Sequence, residues 1–196
     1  EAFTLDEKRN FAVKTAFKKM YDDGLIYRGY RVVNWDPKGQ TTISDDEIEY
    51  KTKKTKLYTF KYSKKIPISI STTRPETKLG DTAIAVNPND KRYAKYVGQE
   101  FKTIFAGEAI TLKVIADDSV DQEFGTGALG VTPAHSIIDW EMSQRHGLPL
   151  KQVINEYARM TVGLDSIKDK KVSEAREAVV AWLKKQGLLE KEEEIE

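Results

Sequence analysis

Two short segments carry most of the residues able to do chemistry. Thr72-Thr73-Arg74-Pro75-Glu76-Thr77 crowds hydroxyls around one guanidinium just after a candidate strand. Hydroxyls and backbone amides at a strand end suit the oxygens of a sugar or ester, and Arg74 can meet a phosphate or carboxylate bidentately. The plainer reading is a turn with an Arg74–Glu76 surface pair, which contributes little. The second segment runs from Phe124 to Asp139, with Thr132, His135, Ser136 and Asp139 close together. His135 and Asp139 are four apart, so a helix starting there puts both on one face. A carboxylate in a cleft can hold a cationic amine, and a neighbouring His can position water. The plainer reading is a turn begun by Pro133, in which Ser136 or Asp139 caps the next helix. Capping is the favoured reading for Ser136, and Asp139 stays open. A Ser–His–Asp hydrolytic triad is discounted, because no G-x-S-x-G elbow is present.

Gly125-Thr126-Gly127-Ala128-Leu129-Gly130 fits G-x-G-x-x-G, but that fingerprint works only between a strand and a helix N-terminus. Val131-Thr132-Pro133 follows at once, and proline blocks a helix through that stretch. The glycines instead suit close approach to a ligand or another strand. The chain has no Cys, which excludes disulfides and thiolate chemistry, and its two His rule out a multi-histidine metal centre. Lys+Arg 32 against Asp+Glu 31 argues against global electrostatic capture of nucleic acid. A local patch remains open: Lys51-Thr52-Lys53-Lys54-Thr55-Lys56, with Tyr58 and Tyr62 nearby, either is a solvated face or touches a phosphate backbone. Lys64-Lys65 and Lys168-Asp169-Lys170-Lys171 read as solvated.

The elements that must position these segments read as follows. Thr4 and Glu7 form a capping box for a helix through Val13, Ala16, Phe17, Met20 and Tyr21, stopped by Gly24. A short strand at 31–35 is closed by Asp36-Pro37-Lys38-Gly39. From Leu57 the period becomes two, giving paired strands at 57–62 and 66–71 and further strands at 82–86, 100–105 and 109–116. A short helix is expected at 91–97, another at 138–145, and an amphipathic one at 173–186 before Gly187. The acidic end, 190–196, reads as solvated. Many short strands broken by turns suggest a closed or nearly closed antiparallel barrel. The class is α+β: a β-rich core at about 55–160, flanked by arms at 1–54 and 161–196 in a single domain. At 196 residues, with 39% hydrophobic and 32% charged residues, the composition is that of a globular chain. No apolar run approaches the roughly 20 residues of a membrane helix, so no membrane partner is expected. The N-terminus shows no signal peptide and no initiator Met, so a piece of a longer chain is expected.

Together the two segments resemble the editing (CP1) insertion of valyl-tRNA synthetases. Val33-Asn34-Trp35-Asp36-Pro37 and Ile43-Ser44-Asp45 resemble the family's N-terminal arm of the insertion. Thr72 to Thr77, continuing as Leu79-Gly80-Asp81-Thr82-Ala83, matches the threonine-rich signature. Glu123 to Gly127, then Val131-Thr132-Pro133-Ala134-His135, Asp139 and Arg145-His146-Gly147-Leu148-Pro149, match the second. Nucleotide-binding signatures of the H-I-G-H and K-M-S-K-S kind are absent, so this segment is not expected to activate an amino acid or use the parent's ATP.

The resemblance implies hydrolysis of Thr-tRNA(Val) to threonine and tRNA by a positioned water. It implies Asp139, Thr132 and His135 as catalytic residues, with Asp139 gripping the substrate ammonium. Thr72, Thr73, Arg74, Glu76 and Thr77 would form the wall around the aminoacyl ester and terminal adenosine, and Phe124 would line the pocket. Gly130 and Ser136 stand where the family is expected to carry Lys and Asp. The resulting expectation is slower editing that still prefers threonine, raised by Gly130→Lys with Ser136→Asp. The alternative is a tRNA-docking insertion with weak or lost hydrolysis. No metal and no cofactor are implied. The implied partners are the aminoacylated 3′ end of tRNA(Val) and the rest of a parent synthetase, with a monomer in the cytoplasm expected.

Overall fold

The computed structural model describes residues 5–196, which divide into two compact units, one ending at Arg31 and one running from Val32 to Glu196. In the first unit, α1 spans Glu7–Asp22. The expected capping box involves Thr4, which lies outside the described residues. The cap of α1 is Asp6, whose carboxylate accepts the Arg9 N–H at 2.9 Å. Gly24 follows in the left-handed region at φ 71°, where glycine carries no Cβ penalty. No residue of α1 is buried.

In the second unit, β1 (Asn34–Asp36) and β2 (Thr41–Ile43) form a hairpin. The Asp36 carboxylate shapes its turn by accepting the Lys38 and Gly39 N–H groups, both at 2.9 Å. Two larger sheets follow. The first has the order β4-β3-β9, with β3 at Thr55–Lys61, β4 at Ser69–Thr72 and β9 at Leu189–Ile195, all antiparallel. The second has the order β6-β7-β5-β8, with β5 at Ala83–Val86, β6 at Glu100–Phe105, β7 at Glu108–Ala116 and β8 at Ala128–Val131. Helices α2 (Ile137–His146) and α3 (Val172–Gln186) complete the unit.

The strand β5 is apolar throughout because it separates two cores. Ile84 and Val86 face the larger one, with Phe60, Tyr62, Phe105 and the Ala175, Val179, Val180 and Leu183 face of α3. Ala83 and Ala85 face the smaller one, with Ile115, Val131 and Met142 of α2. This is the two-residue alternation of a strand with both sides covered.

The α+β class holds, but the strands lie in separate sheets and form no closed barrel among the described residues. One pairing, β5 with β7, is parallel. The acidic end is not simply a solvated tail. It forms β9 along β3, where Glu192 meets Lys56 at 2.6 Å and Lys184 at 3.0 Å. Residues 161–196, read from sequence as an arm, thus supply α3 and β9 to the larger core's surroundings. The helix expected at 91–97 is a single 3-10 turn, Ala94–Tyr96. Tyr58 and Tyr62 are buried, so neither flanks the basic run as a stacking surface. Among the described residues, no helix is long and apolar enough to cross a membrane.

Candidate functional site

The threonine-rich segment leaves β4 and becomes a 3-10 turn, Pro75–Gly80, every residue of which is buried. Proline at its start supplies the fixed φ that such a turn needs. The Thr72 hydroxyl accepts the Arg74 N–H at 3.1 Å, and the Thr77 hydroxyl donates to the Arg74 carbonyl at 2.9 Å. These bonds brace the Arg74 backbone, leaving its side chain exposed. Thr73 is half-buried beside it. Glu76 does not pair with Arg74. It is fully buried and takes two hydrogen bonds from Arg176 of α3, at 2.9 and 2.7 Å. Glu76 therefore ties the turn to α3.

The second segment starts in the glycine loop. Gly125, at φ 59°, sits against β4, where a Cβ would come within 2.5 Å of Ser71 Cβ. The loop runs into a strand, β8, and not into a helix, so the dinucleotide geometry is absent and close approach to another strand is what the glycines provide. Phe124 at its edge is 55% exposed. Beyond β8, Ser136 caps α2, its hydroxyl accepting the Asp139 N–H at 3.3 Å. The Ser136 side chain is thus engaged at the helix end. Arg74 Nη1 donates to the His135 carbonyl at 3.1 Å, which brings the two segments together across 61 residues of chain.

Asp139 is buried, and its Oδ2 accepts the Thr132 N–H at 2.8 Å. Its Oδ1 accepts no hydrogen bond from the described residues and is not sealed from solvent. That leaves one carboxylate oxygen held and one available to a cation. His135 Nε2 accepts the Val153 N–H at 2.9 Å, so the ring is neutral with its proton on Nδ1. Burial, then the positive charges of Arg74 and Lys78, push its pKa down to about 4. The Nε2 lone pair is already engaged, so it is not free to take a proton from water.

Thr132 is buried, and its hydroxyl is turned inward. It donates to Asp81 and accepts from Lys78 Nζ at 2.8 Å. Lys78 Nζ also donates to the Gly130 carbonyl at 2.7 Å and lies 3.4 Å from Asp81 Oδ1. The Tyr62 hydroxyl donates to Asp81 Oδ2. Burial pushes the Asp81 pKa up to about 6, against the opposing pull of Lys78, Thr132 and Tyr62. Gly130 is packed beneath this cluster: a Cβ there would lie 2.2 Å from both Asp81 Oδ2 and the Tyr62 hydroxyl. A lysine at 130, expected to improve the site, would have to displace both of these groups.

Sequence reasoning did not single out Tyr62, Lys78 and Asp81 as site residues. The available signal was Lys78-Leu79-Gly80-Asp81, opposite charges three apart leading into the apolar run Ala83-Ile84-Ala85, because buried charges must be paired. Asp117 was missed too. It takes a bidentate pair from Arg145 and a contact from His146 at 2.8 Å, anchoring the C-terminal end of α2. Burial alone would raise its pKa, but the Ser119, His146 and Arg145 hydrogen bonds hold it well below the usual carboxylate range. A shallow groove of about 520 Å³ between Pro37, Tyr157 and Lys171 contains none of the residues expected to be catalytic or to bind substrate.

A family model, tRNA synthetases class I (I, L, M and V), matches residues 1–188. The chain belongs to the class I tRNA synthetases. It is 45% identical over 194 residues to the valine–tRNA ligase of Protochlamydia amoebophila, covering 97% of this chain and 20% of that protein. To the valine–tRNA ligase of Clostridium acetobutylicum it is 47% identical over 194 residues, 97% of this chain and 22% of that protein. The chain thus spans about a fifth of the length of these class I relatives. The crystal structure of GlLeuRS-CP1 aligns with 65% of this chain and 83% of its own at 12% identity and a TM-score of 0.46, too weak a likeness to argue from.

Proposed function

We propose that this chain is the editing domain of a valyl-tRNA synthetase and hydrolyses mischarged Thr-tRNA(Val). The observation that carries the reading is the Asp139 carboxylate, with Oδ2 held by the Thr132 N–H and Oδ1 left to receive an ammonium. The valine–tRNA ligase relatives support it. The need for such a site is physical: in valyl-tRNA synthetases themselves, a hydrophobic pocket rejects threonine's added hydroxyl by only about a hundredfold.

In this reading Asp139 grips the aminoacyl ammonium by a charge-assisted hydrogen bond. The exposed Arg74, tethered to the His135 carbonyl, meets the ribose and phosphate oxygens of the tRNA 3′ end. Water attacks the ester carbonyl, a C–O bond to water forms, and the bond to the ribose oxygen breaks. The proton lost by water ends on that ribose oxygen, helped by the neighbouring ribose hydroxyl. Thr132 serves through its backbone N–H, which holds the Asp139 carboxylate, and His135 through its ring Nε2, which holds the Val153 N–H. The partners are tRNA(Val) and the rest of the synthetase, which would supply ATP-dependent aminoacylation. The chain would act as a monomer in the cytoplasm.

A second reading, tRNA docking with weak hydrolysis, is favoured by one observation: the Ser136 and Thr132 hydroxyls are both engaged internally. Single-turnover deacylation of Thr-tRNA(Val) and Val-tRNA(Val) separates the two readings. Asp139→Ala should slow Thr-tRNA(Val) hydrolysis by about tenfold to a hundredfold, matching the loss of one charge-assisted bond. A folded Asp139→Ala protein with an unchanged rate would remove Asp139 from the site. A parent protein with no deacylation would favour docking.

A further inference from the structure

Under the candidate site lies a buried ion pair that the hydrolytic reading does not use. Lys78 and Asp81 are 4% and 1% exposed, and burying two charges is costly unless every proton and lone pair is placed. Here they are placed. The three N–H groups of Lys78 reach the Gly130 carbonyl, the Thr132 hydroxyl and Asp81 Oδ1. Asp81 accepts from Lys78, the Thr132 hydroxyl and the Tyr62 hydroxyl. The Thr132 hydroxyl therefore has one orientation, proton toward Asp81 and a lone pair toward Lys78. Both sides of residue 131 are gripped, at the Gly130 carbonyl and at the Thr132 side chain. The next atom outward is the Thr132 N–H, which holds Asp139 Oδ2.

We infer that Lys78 is a positioning residue of the deacylation site, clamping the 130–132 backbone so that the Thr132 N–H fixes the Asp139 carboxylate with Oδ1 open. The inference rests on the hydrolytic reading for its kinetic consequence, though not for its structural one. Asp81 is the clamp's second half. The Lys78 ammonium and its two hydroxyl donors favour the carboxylate form, and burial pushes it toward the neutral form. The groups facing it are Tyr62 from the end of β3, Lys78 from the 3-10 turn, Thr132 after β8 and Asp139 from α2. Of these, only Lys78 brings a positive charge that keeps it ionised.

The test uses Lys78→Met in the full-length protein. The rate constant for Thr-tRNA(Val) deacylation should fall about tenfold or more with KM within about threefold, since Lys78 does not touch substrate. The acid limb of the pH–rate profile should move to higher pH, because Asp81 loses its cation. A merely structural role would move neither. Should Lys78→Met fail to fold, Lys78→Met/Asp81→Asn removes both charges and leaves none unpaired; it should fold, deacylate about tenfold more slowly, and lose the limb assigned to Asp81. A folded variant of either kind with the parent's rate and profile overturns the inference. If the parent protein shows no deacylation, the hydrolytic reading fails, and the clamp is read instead at the Thr132 amide. Hydrogen exchange there about tenfold faster in the variant, with β5 amides unchanged, supports the clamp. Unchanged protection of Thr132 overturns it.

Discussion

Replacing Gly130 by alanine adds one methyl group to β8 where two buried polar groups already meet. The new Cβ would lie 2.2 Å from Asp81 Oδ2 and 2.2 Å from the Tyr62 hydroxyl, so both must retreat by more than an ångström. Tyr62 has little room to do so. It is fully buried, with its ring edge-on to Phe60 at 5.8 Å and to Phe105 at 5.3 Å. Losing a hydrogen bond to a carboxylate costs about 1.5–3 kcal/mol, and overpacking a filled core adds about 1–3 kcal/mol. Gly130→Ala should therefore destabilise by about 2.5–6 kcal/mol, lowering the melting temperature by about 5–24 °C for a chain of this size. Urea unfolding followed by far-ultraviolet circular dichroism measures it, with an unchanged m-value showing that stability and not denatured-state compactness has moved. Adding Tyr62→Phe removes one of the two colliding atoms, so the double variant should lose less than the sum of the single losses. A Gly130→Ala protein that unfolds at the parent's midpoint would refute the packing argument. By the same reasoning Gly130→Lys lowers both stability and activity, because it also sets a second ammonium beside Lys78.

Arg176→Ala leaves Glu76 as a fully buried carboxylate without its partner. The cost should be about 2–4 kcal/mol, toward the lower part of the range for broken buried pairs because the Arg176 side chain is one-third exposed; equal stability of the variant in urea would show that Glu76 is otherwise satisfied. His135 and Asp81 make opposing pH signatures. The His135 pKa falls from 6.5 to about 4 on folding, so its contribution is complete above 6.5 and is lost as pH falls toward 4, by about 3 kcal/mol. The Asp81 pKa rises from 3.8 to about 6, so its contribution is complete below 3.8 and is lost as pH rises through 6. In the parent the two slopes oppose each other between about pH 4 and 6; in His135→Gln stability should fall as pH rises across that window, and a variant with the parent's pH curve would contradict the assignment.

What was legible in the sequence is what short-range bonding decides. The Ser136 cap, the glycines that end α2 and α3 in the left-handed region, and the strands at 83–86, 100–105 and 108–116 follow from hydrogen bonds and side-chain periods within a few residues. So does the turn at Thr72–Thr77, built from bonds spanning two and three residues. Partners across long separations were not legible. A glutamate beside an arginine reads as a pair, yet Glu76 chose Arg176, one hundred residues away, because the turn is buried against α3. The acidic end reads as solvated until Lys56 and Lys184 are placed next to it, when it becomes the edge strand β9. Gly130 reads as an absent side chain, and only the fold shows the space already filled by Asp81 and the Tyr62 hydroxyl. The common reason is that a buried charge must find its counter-charge wherever packing brings one, and packing is set by apolar surface from the whole chain. Local chemistry wrote the two segments; the cores on either side of β5 decided which of their polar groups turn inward and left Asp139 Oδ1 without a hydrogen bond from the described residues.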